Sequence, residues 1–327
     1  MDLLTHVLTA YLLTFGLVGF QPSYLAAGAL AGGLPDADIL FLPLWKRFPI
    51  LRHHGITHSF FGVTVVAAVG AVLAPRIAPG SPLIYFLVLW AGGAAHVLED
   101  AFTNFSVPPL LPFSERRLEL DADRAVNFLT LGISIFSFWL LGDVERGHVP
   151  FAWYLGTVYA LMAFFVGYFA LRLSVRIYLG RRLSRLGPYE HIVPTGSPFT
   201  WLLVSERRAE GRIAIVLGRF RLLPPRVDGP LRVEAPLDAD GAPPAPVRDV
   251  AEAIARSYPV ARKTSGFLDE TYHFADTARG SEGWTVTWYS LEYAALGRAA
   301  AVTVRIDAEG RTSARRAWYA PRAPEGG

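Results

Sequence analysis

Hydrophobic positions dominate six stretches of the first 171 residues: 3–20, 22–34, 57–74, 83–105, 125–141 and 151–171. Charge is nearly absent from them. Between Met1 and Pro43 the only charged side chains besides histidine are Asp2, Asp36 and Asp38. A helix needs about 20 apolar residues to cross a hydrocarbon layer of about 30 Å. Four of the stretches meet or nearly meet that length, and 22–34 is short enough for a half-helix. Residues 3–20 have no Lys or Arg before them, whereas a secretory leader begins with a basic region, so they read as a retained helix. The pattern predicts a mainly α fold, a polytopic transmembrane bundle of five to six segments over 1–185.

From Arg172 onward the chain turns polar. Residues 186–327 read as a small α+β domain. Strands are expected at 201–205, 212–220, 284–291, 300–306 and 314–319, with turns at Glu210-Gly211 and 307–310. Helical spacing of Val250, Ile254 and Tyr258 predicts a helix over 247–258, and the Pro/Gly-rich stretch 227–247 reads as a loop.

Composition supports this division. Of 327 residues 52% are hydrophobic and 18% charged, and mean hydropathy is +0.32. A soluble domain carries nearer a quarter charged residues. A net charge of +3 gives no case for nucleic acid as a partner. The absence of cysteine excludes disulfides, thiolate metal sites and a thiol nucleophile. Orientation follows from the basic residues near the segment ends, which accumulate in cytoplasmic loops. With six crossings and the N-terminus inside, Lys46, Arg47, Arg52, Arg116, Arg117, Arg124, Arg172, Arg176, Arg181, Arg182 and Arg185 are cytoplasmic, against Arg76 and Arg146 outside. The expected location is the inner membrane, multi-pass, with both termini and the α+β domain in the cytoplasm.

Ionisable groups inside apolar segments are expensive and mark function. Here they come in four groups: Thr5-His6, Asp36-Ala37-Asp38, His53-His54 with Thr57-His58-Ser59, and His96 with Asp100. In the expected topology all four lie at the cytoplasmic ends of their helices. His96 and Asp100, four apart, share a helix face; His54 and His58 have the same spacing if their turn is helical. Imidazole and carboxylate donors suit zinc, and also manganese or iron. The candidate ligands are His6, Asp36, Asp38, His53, His58, His96 and Asp100. Asp36 or Asp38 is the candidate general base, and Thr57 and Ser59 are orienting hydroxyls. Glu99 points off the His96/Asp100 face.

At these residues the chain resembles the membrane-bound, YdjM-like metal-dependent hydrolases of bacteria and archaea. The resemblance covers about residues 1–180 and rests on Thr5-His6, Pro35-Asp36-Ala37-Asp38, His53 to Ser59, His96 to Asp100 and Pro112-Phe-Ser-Glu-Arg-Arg117. His54 stands where that family usually has Arg, and the resemblance implies for it a contact to a substrate phosphate or the role of an added ligand. The motif order is also similar, more distantly, to the zinc-dependent phospholipase C and P1 nuclease group. The resemblance implies a metal-dependent hydrolase. Its expected substrate is a lipid phosphoester reached from the membrane, with Arg116, Arg117 and Arg124 at headgroup level. Two other functions remain open: a structural metal site in a signalling or scaffold protein whose α+β domain docks a partner, and an ion transporter. The last would need polar residues continuing through 125–171, where there are few.

Overall fold

The computed structural model describes residues 1–44, 54–104, 106–124, 126–146, 148–209, 212–236, 247–264, 273–290 and 299–319. The chain divides into two compact units, Met1–Ile177 and Tyr178–Gly327.

The first unit is helical. It contains α1 (Leu3–Val18), α2 (Pro22–Gly33), a 3-10 helix (Pro35–Leu44), a 3-10 turn (Ile56–His58), α3 (Phe60–Ile77), α4 (Pro82–Phe102) and α5 (Phe128–Glu145). The next helix, α6 (Phe151–Leu186), begins in this unit. Asp2 starts α1 by accepting from the Thr5 amide at 2.9 Å. Ser59 caps α3, its Oγ accepting from the Gly62 amide at 3.1 Å. Each cap satisfies a backbone donor that the first turn leaves without a partner. Pro22 and Pro82 open α2 and α4, where a missing N–H does no harm.

Helices α1, α2 and α4 pack closely because glycine lets their backbones meet. A Cβ on Gly92 would stand 2.5 Å from the Gly28 carbonyl oxygen, and one on Gly32 would stand 2.5 Å from the His6 carbonyl oxygen. The packed seams are apolar: Tyr24, Ala31, Ala67, Ala71, Tyr85 and Val88 between α2, α3 and α4, and Leu8, Phe15, Tyr154, Val158 and Phe165 between α1 and α6. The outward faces are apolar as well. Val65, Val69, Val72 and Ile77 of α3 are all exposed, as are Phe136 and Trp139 of α5.

Among the described residues three helices are long and apolar enough to cross a membrane: α3, α4 and α6. The expectation of five to six crossings is therefore not supported by helix length. Helix α1 has 16 residues and α2 has 12, about 24 and 18 Å at 1.5 Å per residue. Helix α6 corrects the expectation in the other direction. It does not stop at 171 but continues to Leu186, because the Arg- and Leu-rich sequence that follows the apolar stretch is still a good helix former.

The second unit holds two four-stranded antiparallel sheets. The first, in the order β1-β2-β3-β4, comprises β1 (His191–Pro194), β2 (Thr200–Ala209), β3 (Arg212–Leu222) and β4 (Pro225–Pro236). The second has the order β5-β6-β7-β8, from β5 (His273–Gly280), β6 (Gly283–Ser290), β7 (Ala299–Asp307) and β8 (Thr312–Tyr319). Helix α7 (Val250–Thr264) lays Ala253, Ile254, Tyr258 and Ala261 against Trp284, Val286, Trp288, Val302 and Val304 of the second sheet. Strand β4 occupies the start of the stretch expected to be a loop. It is an edge strand, where Pro225, Pro230 and Pro236 remove no hydrogen bond from a central ladder.

Candidate metal centre

The four polar groups of the first unit meet. Asp36, His58, His96 and Asp100 each direct one ligand-capable atom into a common space, all within 4.8 Å of one another, and could hold a metal ion. Three are buried and Asp36 is partly exposed. Asp36 comes from the first turn of the 3-10 helix after α2, His58 from the 3-10 turn before α3, and His96 and Asp100 from one face of α4.

The imidazoles are oriented from behind. His96 Nδ1 lies 2.7 Å from the Gly32 carbonyl oxygen. A carbonyl only accepts, so Nδ1 carries the hydrogen and Nε2 faces the centre. His58 Nδ1 lies 3.2 Å from Asp38 Oδ2, which also accepts from Thr57 Oγ1 at 2.7 Å. His58 Nε2 then stands 3.2 Å from His96 Nε2, 3.4 Å from Asp100 Oδ2 and 3.5 Å from Asp36 Oδ1. Two imidazole lone pairs and two carboxylates converging on one point need a cation or a proton between them. Such a donor set fits a divalent ion, and the carbonyl and carboxylate behind the imidazoles are the outer partners that metal-ligating histidines use.

Asp100 joins the two halves of the site. Its Oδ2 faces His58, His96 at 3.3 Å and His54 at 3.6 Å. Its Oδ1 faces His6 Nε2 at 3.1 Å and the Met1 amino group. His6 Nδ1 in turn meets Glu99 at 2.7 Å, and the His6 ring stacks on His96 with centroids 3.8 Å apart. Burial disfavours charge on His58, but hydrogen bonds to Asp100, Asp36 and Asp38 outweigh it and lift its imidazole to about 10. Burial also works against the Asp36 carboxylate. The His58 hydrogen bond and the neighbouring imidazoles overcome this and hold its carboxyl below the usual range.

These positions sort the expected residues. Asp36, His58, His96 and Asp100 form the donor set, and His6 touches it through Asp100. Asp38 does not share the centre with Asp36. At three residues per turn, side chains two apart diverge, and Asp38 orients His58 instead. Thr57 fixes Asp38, while Ser59 is spent on capping α3. His54 and His58 do not share a helical face: His54 sits at a positive φ of 57° and Gly55 precedes the short 3-10 turn. His53 lies outside the described residues. Glu99, expected off the ligand face, reaches His6 on the neighbouring helix α1.

A second buried polar assembly was not anticipated. Arg172 of α6 pairs with Asp123 at 2.9 Å, and both side chains are fully buried. Tyr168 donates to Asp123 Oδ2 at 2.6 Å, and Asn127 donates to Asp123 Oδ1 at 3.0 Å. Arg172 is thus a structural partner in the body of α6 rather than a loop cation. An arginine following an apolar run without a break was the signal. Arg117, expected at headgroup level, is exposed and donates to Ser106 Oγ and O at 3.0 and 2.9 Å and to the His54 carbonyl at 3.4 Å.

No curated protein and no solved structure matches the chain. The profile of the YdjM inner membrane protein family matches residues 1–178, the region that carries all four polar groups of the metal centre. The chain belongs to the YdjM inner membrane protein family.

Proposed function

We propose that this chain is an integral-membrane, metal-dependent hydrolase that cleaves a phosphoester of a lipid at the cytoplasmic membrane face. The observation that carries the reading is the inward-facing set of Asp36, His58, His96 and Asp100 in a largely apolar helical unit. The motif order shared with the zinc-dependent phospholipase C and P1 nuclease group supports it. So do the basic residues near the ends of the apolar segments, which argue for cytoplasmic termini and for contact with anionic headgroups.

A divalent ion held by these donors, zinc or else manganese or iron, supplies Lewis-acid chemistry toward a phosphoryl oxygen. The remaining work falls to side chains. Asp38 and Thr57 keep His58 in the tautomer that turns Nε2 inward. Asp36, whose side chain is 24% exposed, is the member of the set that solvent and substrate can approach. Its carboxylate takes the proton of the attacking water as the new P–O bond forms. His54, 13% exposed and 3.6 Å from Asp100, returns a proton to the departing alkoxide as the ester P–O bond breaks. The products are a phosphate monoester or free phosphate and an alcohol.

The test uses the purified full chain with phospholipid and lysophospholipid phosphoesters in mixed micelles. Hydrolysis is expected, lost on chelation, restored by added metal, and abolished in Asp36→Asn. A fully loaded protein that turns over none of these substrates overturns the reading. The metal then holds the helices together instead.

A further inference from the structure

One apolar cleft in the first unit ends at the pair that orients His58, Asp38 and Thr57. It has a volume of about 430 Å³ and lies between the end of α2, the 3-10 helix, α3 and α4. This is within the roughly 300–1,000 Å³ range of small-molecule sites. Leu40, Val65 and Val66 line it and are exposed, so it opens sideways on the outer surface of α3. That helix is long and apolar enough to cross a membrane. Its inner end is formed by Asp38 and Thr57, the pair that orients His58. Pro35 and Ala37 line the cleft, while Asp36 between them faces His58 and His96 at 3.5 Å each. One short segment therefore forms the wall of an apolar groove and contributes a ligand to the donor set.

We infer that this groove holds one acyl chain of a bilayer phospholipid, entering between Leu40 and Val66 with its headgroup end toward Asp38 and Thr57, the polar end of the lining. The occupant follows from the setting. A groove that opens on a lipid-facing surface in an inner membrane protein is filled by the solvent there, which is hydrocarbon. Its Val, Leu, Ile and Phe lining has no charge to match apart from Asp38, already held by His58 and Thr57. Only the placing of the headgroup rests on the proposed hydrolase reading. The groove itself selects a phospholipid by chain rather than by headgroup.

The test is photolabelling of the full chain in nanodiscs with a phosphatidylglycerol carrying a diazirine along one acyl chain. Labelled residues are mapped by mass spectrometry. Labelling is expected to concentrate on Leu40, Val65 and Val66 relative to Val72, a lipid-facing position of α3 outside the groove. Val66→Trp fills the groove mouth and should reduce labelling at Leu40 and Val65 to the level of Val72, with metal content equal to wild type. Leu40→Trp should do the same from the opposite wall, and Val72→Trp should leave the pattern unchanged. Uniform labelling along α3, or a pattern that neither Leu40→Trp nor Val66→Trp alters, overturns the inference. Concentrated labelling without hydrolysis keeps the groove and rejects the hydrolase reading. Hydrolysis with uniform labelling does the reverse.

Discussion

The Nε2 atoms of His58 and His96 stand 3.2 Å apart, each turned inward by an acceptor on the opposite ring nitrogen. Asp38 holds one ring and the Gly32 carbonyl holds the other. Neutral imidazoles so arranged repel, and a shared cation relieves the repulsion while satisfying Asp36 and Asp100. Replacing either histidine by Ala removes a ligand that the remaining three cannot replace from their present positions. Both variants are expected to lose bound metal in elemental analysis of purified protein. Wild-type metal content in both would reject the centre.

Asp38 and Thr57 act one step removed. Asp38→Asn substitutes a neutral amide for the carboxylate behind His58, and Thr57→Ala leaves that carboxylate without a hydroxyl donor at 2.7 Å. Outer-partner losses of this kind lower metal affinity by about 10–100-fold. Titration against a competing chelator should place Asp38→Asn in that range and Thr57→Ala nearer its lower end. Affinities equal to wild type would show that His58 needs no support.

Proton and metal compete for the same place. In the metal-stripped protein the His58 imidazole is raised from 6.5 to about 10. A raised folded value contributes stability that is complete below about 6.5 and is lost as pH rises through about 10. Thermal unfolding of chelated protein should therefore shift to lower temperature between pH 7 and pH 10. Metal uptake displaces the proton, so affinity should rise over the same range. His58→Ala should flatten the first trend. A chelated protein whose unfolding temperature is constant from pH 7 to 10 would contradict the assignment.

Much of this centre was legible because ionisable residues inside apolar segments are too expensive to be incidental. His6, Asp36, Asp38, His53, His58, His96 and Asp100 are picked out on that basis, a wider set than the four side chains that converge. The division of labour between Asp36 and Asp38 was not legible: two carboxylates two residues apart diverge on any helical turn, and the sequence does not say which of them faces His96 and Asp100. Nor was the role of Gly32, whose contribution is a backbone carbonyl that glycine packing brings to His96. The strands of the second unit with alternating or aromatic sequence, β2, β3, β6, β7 and β8, could be read. Strand β4 could not, because its prolines signal a loop unless it is known to lie at an edge.

The Arg172–Asp123 pair anchors α6 to the segment between α4 and α5. Both partners are fully buried, so removing one strands the other in a medium that cannot solvate it. Arg172→Met is expected to destabilise the protein by about 3–5 kcal/mol. The double variant Arg172→Met with Asp123→Asn should recover part of that loss, because Asn keeps a hydrogen-bonding partner for Tyr168 and Asn127. Denaturant unfolding in detergent measures both. A double variant no more stable than the single one would show that the network, rather than the charge pair, is the essential element.

Helix length and basic-residue bias make opposite demands on α5, and the difference is measurable. If α3, α4 and α6 alone cross, the ends of α5 share one side and Leu186 lies on the other side from Arg146 and from the 103–127 segment. If α5 crosses too, Arg146 lies outside and Leu186 returns to the side of Arg116 and Arg117. Helix α5 has 18 residues, about 27 Å at 1.5 Å per residue, which a slightly thinned bilayer accommodates at modest cost. The basic residues weigh more heavily: Arg176, Arg181, Arg182 and Arg185 at the end of α6 would otherwise all stand on the outer face. The expected outcome is that α5 crosses. Reporter fusions at Gly80 and Arg146 should both give an external signal, and fusions at Arg116 and Leu186 a cytoplasmic one. An external signal at Leu186 with a cytoplasmic signal at Arg146 would establish the three-span arrangement.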